Sequence, residues 1–419
     1  MIAIDITKFL KSLPQVRGPA VFLNALIFAS LDRDIHLAFN PHYVGSQLYF
    51  QVVAAKDFPT FWERQVASYY MHHSSRFNLR RILRFVRDLM VKFHPQLAVR
   101  YKLFQKARGR SSVNEYAASV VHHSSIKQML SFLSSDSMWG LPMPETKKTL
   151  FLYDITFFEI LRMISSPVNY SSSPFIVGHI IDVNRAISEA HSIMVPTHYL
   201  AEQLPHHFPA AGNRPIDVVP LASKMSDGAL MFKPLKKDNT RNSALVVCGF
   251  DGFKNDNKGM GAILDIICLY KKIYGAEKPL HFTLITPQLY ELKQRIEDLD
   301  ISDCITLRSC IPVSELIREY KQAKFLWVHS IDEGFCLPVL EASKLGTPVV
   351  VSDVPPLHEI WDNTVNYIDV FNRYEAVNQL YNYNNRKGLA AKGANTLHAQ
   401  NYTIEKTAEG VWSALARVA

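Results

Sequence analysis

The chain has 419 residues, 48% of them apolar and 20% charged, with a formal net charge of +8. That length exceeds what one hydrophobic core normally supports, so two domains are expected. Apolar runs stop short of the roughly 18–20 residues that span a bilayer, and the opening MIAIDITKFLKSLP has no signal-peptide pattern, which predicts a cytoplasmic protein.

Residues 2–6 read as a first strand that reaches an acid, Asp5, and a turn at Gly18 precedes a helix. Residues 76–110 then carry eleven Lys and Arg against one acid, Asp88. Leu79, Ile82, Leu83, Val86, Leu89, Met90 and Phe93 recur there at helical spacing, with Arg76, Arg80, Arg84 and Arg87 on another side. A basic amphipathic helix suits an anionic membrane surface, at about 1 kcal/mol per cation close to it. A core-facing helix with a solvated basic side is the competing reading. Nucleic acid is not expected as a partner, because the stretch lacks a zinc finger or similar motif.

Residues 151–155 read as a strand running to Asp154, and 193–197 and 216–220 as the last strands of a first domain over 1–222. Residues 223–243, rich in Lys, Asp and Asn, read as a linker. The second domain, 244–401, opens with the continuous apolar run 244–249, a buried strand. A polar loop over 250–257 leads to Lys258-Gly259 and a helix from Met260. Strands at 281–286 and 304–307 alternate with helices, one at 314–322, as a Rossmann-like half requires. Arg308 to Cys310 then end a strand, a place for a nucleotide base. Residues 402–419 read as a helix. The five cysteines show no CxxC spacing and are expected as reduced thiols; the 16 histidines form no HExxH or Cys/His ligand set, so no metal is expected.

The richest stretch is 325–360. An apolar run at 325–328 reads as a buried strand and 330–337 as a polar loop. Pro338 suits a first helical position, and the helix is expected to end near Leu345, where Gly346 caps it and Pro348 follows. This strand–loop–helix–strand unit belongs to a parallel sheet, which binds ligands where strand ends meet helix N-termini. Glu333 lies in the loop and Glu341 is expected on the first helical turn, with seven residues between them. Amides of Gly334, Phe335, Cys336 and Leu337 suit a phosphate, Glu341 a ribose diol and Glu333 a hexose. The bland alternative makes Glu341 a helix-dipole partner and Glu333 a solvated acid.

Ser330, Glu333, Gly334, Phe335, Leu337, Pro338, Glu341, Gly346, Pro348 and Val349 together resemble the Glu-x7-Glu signature of the retaining family 4 glycosyltransferases. The resemblance implies an α/β chain of GT-B fold, two Rossmann-like domains facing across a central cleft, with the tail helix crossing back to the first. Cys336 departs from the family's usual Gly. Lys258 matches the lysine that neutralises the donor diphosphate. The Arg that follows the position of Gly249 is replaced by Phe250, and Lys254 is the expected substitute, a point charge rather than a fork. Asp5 and Gly18 fit the acceptor-side loop without its second Gly and its Arg. Asp154 matches an acid that orients an acceptor hydroxyl, with a helix N-cap as its rival role.

The implied reaction moves a sugar from a nucleotide-diphosphate donor to a hydroxyl of a glycan or lipid-linked acceptor, with retention, no metal and no cofactor. Glu333, Lys258 and Asp154 are the expected catalytic groups, and no covalent nucleophile is assigned. The protein is expected in the cytoplasm, docked peripherally at the inner membrane face. The alternative is a non-catalytic scaffold of the same fold that binds a glycan or a partner transferase.

Overall fold

The computed structural model describes residues 1–6, 26–27, 33–44, 46–57, 119–132, 139, 141–155, 174–223, 243–250, 256–287, 289–309, 311–385 and 393–418. Gly18, Lys254, the basic stretch 76–110 and residues 224–242 lie outside them. The described residues form two compact units: one drawn from Met1–Ile155, Ser166–Ala222 and Thr403–Ala419, the other from Ser223–Tyr402. Among the described residues no helix is long and apolar enough to cross a membrane.

Unit 1 is built on strands β1 (Ile2–Asp5), β2 (Ile35–Val44), β3 (Gln47–Ala54), β4 (Ser119–His122), β5 (Gln128–Phe132), β6 (Lys147–Phe151), β7 (Ser192–Val195) and β8 (Ile216–Val218), in spatial order β4-β3-β2-β1-β5-β6-β7-β8. From β2 through β8 the neighbours are parallel, while β3 and β4 extend one edge antiparallel. The strand order reverses between β1 and β5. Fully buried Ala3, Ile4, Leu130, Leu150 and Ile193 supply the core, each larger aliphatic contributing roughly 1.5–3 kcal/mol. The antiparallel extension escapes sequence reading because Asn40-Pro41 interrupts β2. The register shifts between Phe39 and His42, a bulge of the kind that admits a proline.

The strand expected at 151–155 is displaced. Its span is Lys147–Phe151, so Asp154 lies beyond the strand's end. Two lysines at its start disguise it, yet Lys148 is buried because its ammonium pairs with Glu189 at 2.7 Å. Helix α1 (Pro174–Glu189) leads into β7, and α2 (His198–His207) starts where the Thr197 hydroxyl accepts the Leu200 amide at 3.2 Å. The C-terminal helix Ile404–Val418 belongs to this unit. Its Leu415 carbonyl accepts from Gln128 at 3.0 Å, and its Thr407 hydroxyl donates to the Pro220 carbonyl at 2.9 Å.

Unit 2 has strands β9 (Ser243–Val247), β10 (His281–Ile285), β11 (Ile305–Arg308), β12 (Phe325–Trp327), β13 (Val349–Ser352) and β14 (Asn366–Ile368), all parallel, in order β11-β10-β9-β12-β13-β14. The reversal falls between β9 and β12. Helix α3 (Met260–Tyr274) buries Ile263, Leu264, Ile266, Ile267 and Tyr270, and α4 (Tyr290–Asp298) buries Leu292 and Ile296. Both pack in one core with Ala244, Val246, Phe282, Leu284, Phe325 and Trp327. Helices α5 (Val313–Gln322), α6 (Leu337–Lys344), α7 (Pro355–Trp361) and α8 (Arg373–Asn384) complete the alternation. At the end of α6, Gly346 takes φ +76° and the Thr347 amide returns to the Ala342 carbonyl at 2.9 Å.

Candidate active site

In an open α/β sheet, ligands bind outside the carboxyl ends of the strands where the order reverses. In unit 2 that crevice lies beyond β9 and β12, and two loops converge on it by backbone contact. The Ile331 amide donates to the Asn257 carbonyl at 3.1 Å. Gly259, at φ +68°, lies so close to the next loop that a Cβ there would stand 2.1 Å from the His329 carbonyl oxygen. Only glycine tolerates both that angle and that approach. The convergence brings Lys258 and Glu333 together across 75 positions: the ammonium donates to Glu333 Oε1 at 2.7 Å, and the Ser330 hydroxyl donates to the same oxygen at 2.6 Å. Glu333 Oε2 has no partner among the described residues. The two side chains are 25% and 11% exposed, open enough to meet a ligand yet partly desolvated.

Asp256, which sequence reading passed over, fixes the lysine loop. Its two oxygens accept the Met260 amide at 2.8 Å and the Gly261 amide at 2.6 Å, satisfying orphan donors at the start of α3. Burial pushes its carboxyl above the usual range despite those bonds. An acid four residues before the first helical residue was the available signal.

Helix α6 starts at Leu337, one residue earlier than expected, with Pro338 in its first turn. The amides of Gly334, Phe335, Cys336 and Leu337 have no acceptor among the described residues. Gly334 is buried, and the Phe335 side chain packs edge-on against Tyr402, centroids 5.4 Å apart, so this phenylalanine offers a ligand its backbone only. Cys336 is the N-cap at φ +65°, a left-handed conformation at the position where glycine was expected. Burial drives its thiol well above its ordinary pKa, so it stays neutral. Glu341 is the fifth residue of α6, not part of the first turn. Its carboxylate is buried and receives the Ser223 hydroxyl and the Tyr320 phenol, each at 3.2 Å.

Gly249 is exposed just past β9, while Phe250 turns into the core, which is why no charge stands at that position. Cys248, beside them, has its thiol pushed up to about 12 by burial. His329 follows β12 and is 2% exposed, with neither ring nitrogen paired among the described residues. Burial lowers its pKa to about 4, against the opposing pull of Asp369. Arg308 ends β11 with its guanidinium on Glu319 at 2.6 Å and on Glu315, a committed ion pair rather than a free base-binding fork. Among the described residues no group of three His, Cys, Asp or Glu is placed to hold a metal.

In unit 1 the order reversal holds Asp5, which is buried and accepts the Ser131 hydroxyl at 2.9 Å across the β1–β5 pair. Asp154 is half-buried after β6.

The family model for glycosyl transferases group 1 matches residues 230–382, which include β9 through most of α8. A stretch of 84 residues is 38% identical to the O-antigen chain mannosyltransferase RfbU of Salmonella typhimurium, covering 20% of this chain and 24% of that protein. The match therefore spans about a quarter of that relative's length. Sucrose-phosphate synthase from Thermosynechococcus elongatus is similar over 99% of this chain and 98% of its own, with TM-score 0.61 at 12% identity. The chain has the GT-B fold. A mutant of S. aureus TarM, crystallised with fondaparinux, α-GlcNAc-glycerol and UDP, gives TM-score 0.51 at 13% identity over 69% of this chain and 55% of that one. In GT-B terms, the family match falls on the unit that carries Lys258, Glu333 and Glu341.

Proposed function

We propose that the chain is a retaining, metal-independent glycosyltransferase of family 4 that takes a sugar from a nucleotide-diphosphate donor to a hydroxyl of a glycan or lipid-linked saccharide, in surface polysaccharide synthesis. The observation that carries this reading is the Lys258–Glu333 pair at the order reversal of unit 2. The mannosyltransferase relative and the UDP bound to TarM agree with it.

On donor binding the Lys258 ammonium turns to the diphosphate, joined by the amides of residues 334–337 and by Lys254. Glu341 takes the ribose hydroxyls, and Gly249 lets the donor approach the backbone. Glu333 Oε2 accepts a hydroxyl of the transferred sugar and lays negative charge beside the anomeric carbon as its bond to the phosphate breaks. Fixed charge of this kind is usually the largest catalytic contribution. The acceptor oxygen bonds to the anomeric carbon on the face the phosphate leaves, and its proton passes to the departing diphosphate. Asp154, Asp5 and Gly18 serve the acceptor, and Arg76, Arg80, Arg84 and Arg87 hold the chain at an anionic membrane surface.

The test is donor hydrolysis with UDP-, GDP-, ADP- and dTDP-sugars. Slow hydrolysis of one donor, reduced roughly 100-fold in Glu333→Ala, is expected. Hydrolysis that ignores this substitution overturns the assignment. The second reading, a donor-binding scaffold, is favoured by the buried Phe250 in place of a diphosphate-binding arginine. Donor binding without turnover on any acceptor is its signature.

A further inference from the structure

The sheet of unit 2 has a groove of mixed lining, with hydroxyls set among apolar side chains, that the reaction above does not use. Along β9, β10 and β11 the side chains alternate. Ala244, Val246, Phe282 and Leu284 enter the core with α3 and α4, and Ile305 and Leu307 pack against it. By the two-residue period, Ser243, His281, Thr283, Thr306 and Arg308 face the reverse side. Strands of a parallel sheet are normally buried on both faces and read as continuous apolar runs. Here the reverse face is mixed: hydroxyls, an imidazole and a guanidinium alternate with Leu245, Val247 and Ile285. Together with Glu319 and Gln322 of α5 it encloses a groove of ≈ 590 Å³. Ser243 and His281 open their strands, so the groove starts at the amino ends, whereas Lys258 and Glu333 follow carboxyl ends.

The groove's chemistry selects a ligand class. Arg308 is shared by two carboxylates, Glu315 and Glu319, which leaves the wall net negative. Burial keeps the His281 pKa below its ordinary value, so the ring adds no charge at neutral pH. A phosphate or carboxylate would be repelled. A wholly apolar ligand would strip water from the hydroxyls without replacing its bonds, whereas the C–H faces of a sugar suit Leu245, Pro279 and Ala323. Ser243 and Thr283 bond each other at 3.1 Å and His281 bonds Thr306 at 2.7 Å, which fixes their directions while each hydroxyl keeps further capacity. The volume lies within the roughly 300–1,000 Å³ of small-ligand sites.

We propose that this groove is a subsite for a neutral saccharide, separate from the candidate reaction site. The ligand class follows from the groove itself. Only its use, holding a length of acceptor or product glycan away from the reacting end, rests on the function proposed above.

Saturation-transfer NMR on the full chain, with mannotriose, maltotriose and trigalacturonate as probes, tests it. At least one neutral trisaccharide is expected to bind with Kd on the order of 1 mM, and trigalacturonate is not. Gln322→Trp, which fills the groove, weakens that binding at least about tenfold, and Thr306→Ala weakens it several-fold with an unchanged melting temperature; Glu333→Ala leaves it intact. The proposal is overturned if neither neutral probe binds, if trigalacturonate binds equally, or if Glu333→Ala removes binding while Gln322→Trp spares it. Failure of donor hydrolysis, by contrast, counts against the reaction and not against the groove.

Discussion

At the order reversal of unit 2 a lysine and a glutamate meet at 2.7 Å, with one carboxylate oxygen left over; at that of unit 1, Asp5 takes the Ser131 hydroxyl at 2.9 Å and is almost wholly enclosed. The two sheets share the topology that opens a crevice, so topology is not what separates them. The difference lies in how the loops approach. In unit 2 a left-handed glycine and a backbone bond press two loops together and hold opposite charges mostly buried yet within reach of water. In unit 1 the acid sits within the strands themselves. A crevice becomes a site for charge only when its loops are forced together.

That comparison can be broken at Gly259. Gly259→Ala places a Cβ against the His329 carbonyl at an angle L-residues avoid, and is expected to cost about 3 kcal/mol and to abolish donor turnover. Urea unfolding with a wild-type midpoint would show that the loop approach is not forced. Next comes pH. Since the His329 pKa in the folded chain is about 4, below the unfolded 6.5, the neutral ring is favoured. Its contribution is complete above pH 6.5 and lost as pH falls towards 4, about 3 kcal/mol in all. Stability curves from pH 7 to 4 should therefore be flatter for His329→Gln; parallel curves would refute the assignment. Asp369 and Arg373 act on this ring with opposite signs, and removing Asp369 should steepen the loss.

A sharper contrast uses conservative changes in each crevice. Glu333→Gln should lower donor hydrolysis roughly 100-fold, whereas Asp5→Asn should lower transfer to acceptor more than hydrolysis. Equal effects on both reactions would erase the distinction between the units. The smallest effect belongs to Cys336. Relief of its left-handed strain and loss of a buried thiol oppose each other, so Cys336→Gly should change stability by no more than about 1 kcal/mol, while Cys336→Val should cost more. A melting temperature far below wild type for the glycine variant would show that the thiol's packing dominates.

Unit 2 was legible because its signals are local: continuous apolar strands, Pro338 and Gly346 bracketing a helix, and Lys258-Gly259 ahead of another. The Lys258–Glu333 meeting was foreseen only through family resemblance, since nothing in either loop specifies a partner 75 residues away. Asp256 and His329 went unread because their importance comes from what packs around them. In unit 1 the Pro41 bulge and the buried Lys148 hid strands whose residues look polar in isolation. Glu341 was placed one position too early in its helix because the helix begins before its proline.

Glu341 is gripped from both sides: Ser223 holds one oxygen and Tyr320 the other. A glutamate side chain that is free in solution gives up roughly 1.5–2 kcal/mol of rotamer entropy when it is immobilised. Here folding has already met that cost, so a ribose would find a rigid receptor and keep more of its binding energy as affinity. One of the two clamps, Ser223, directly follows Ala222 of unit 1 in the chain, so on the proposed function the tightness of nucleotide binding would depend on how that crossing of the chain is held.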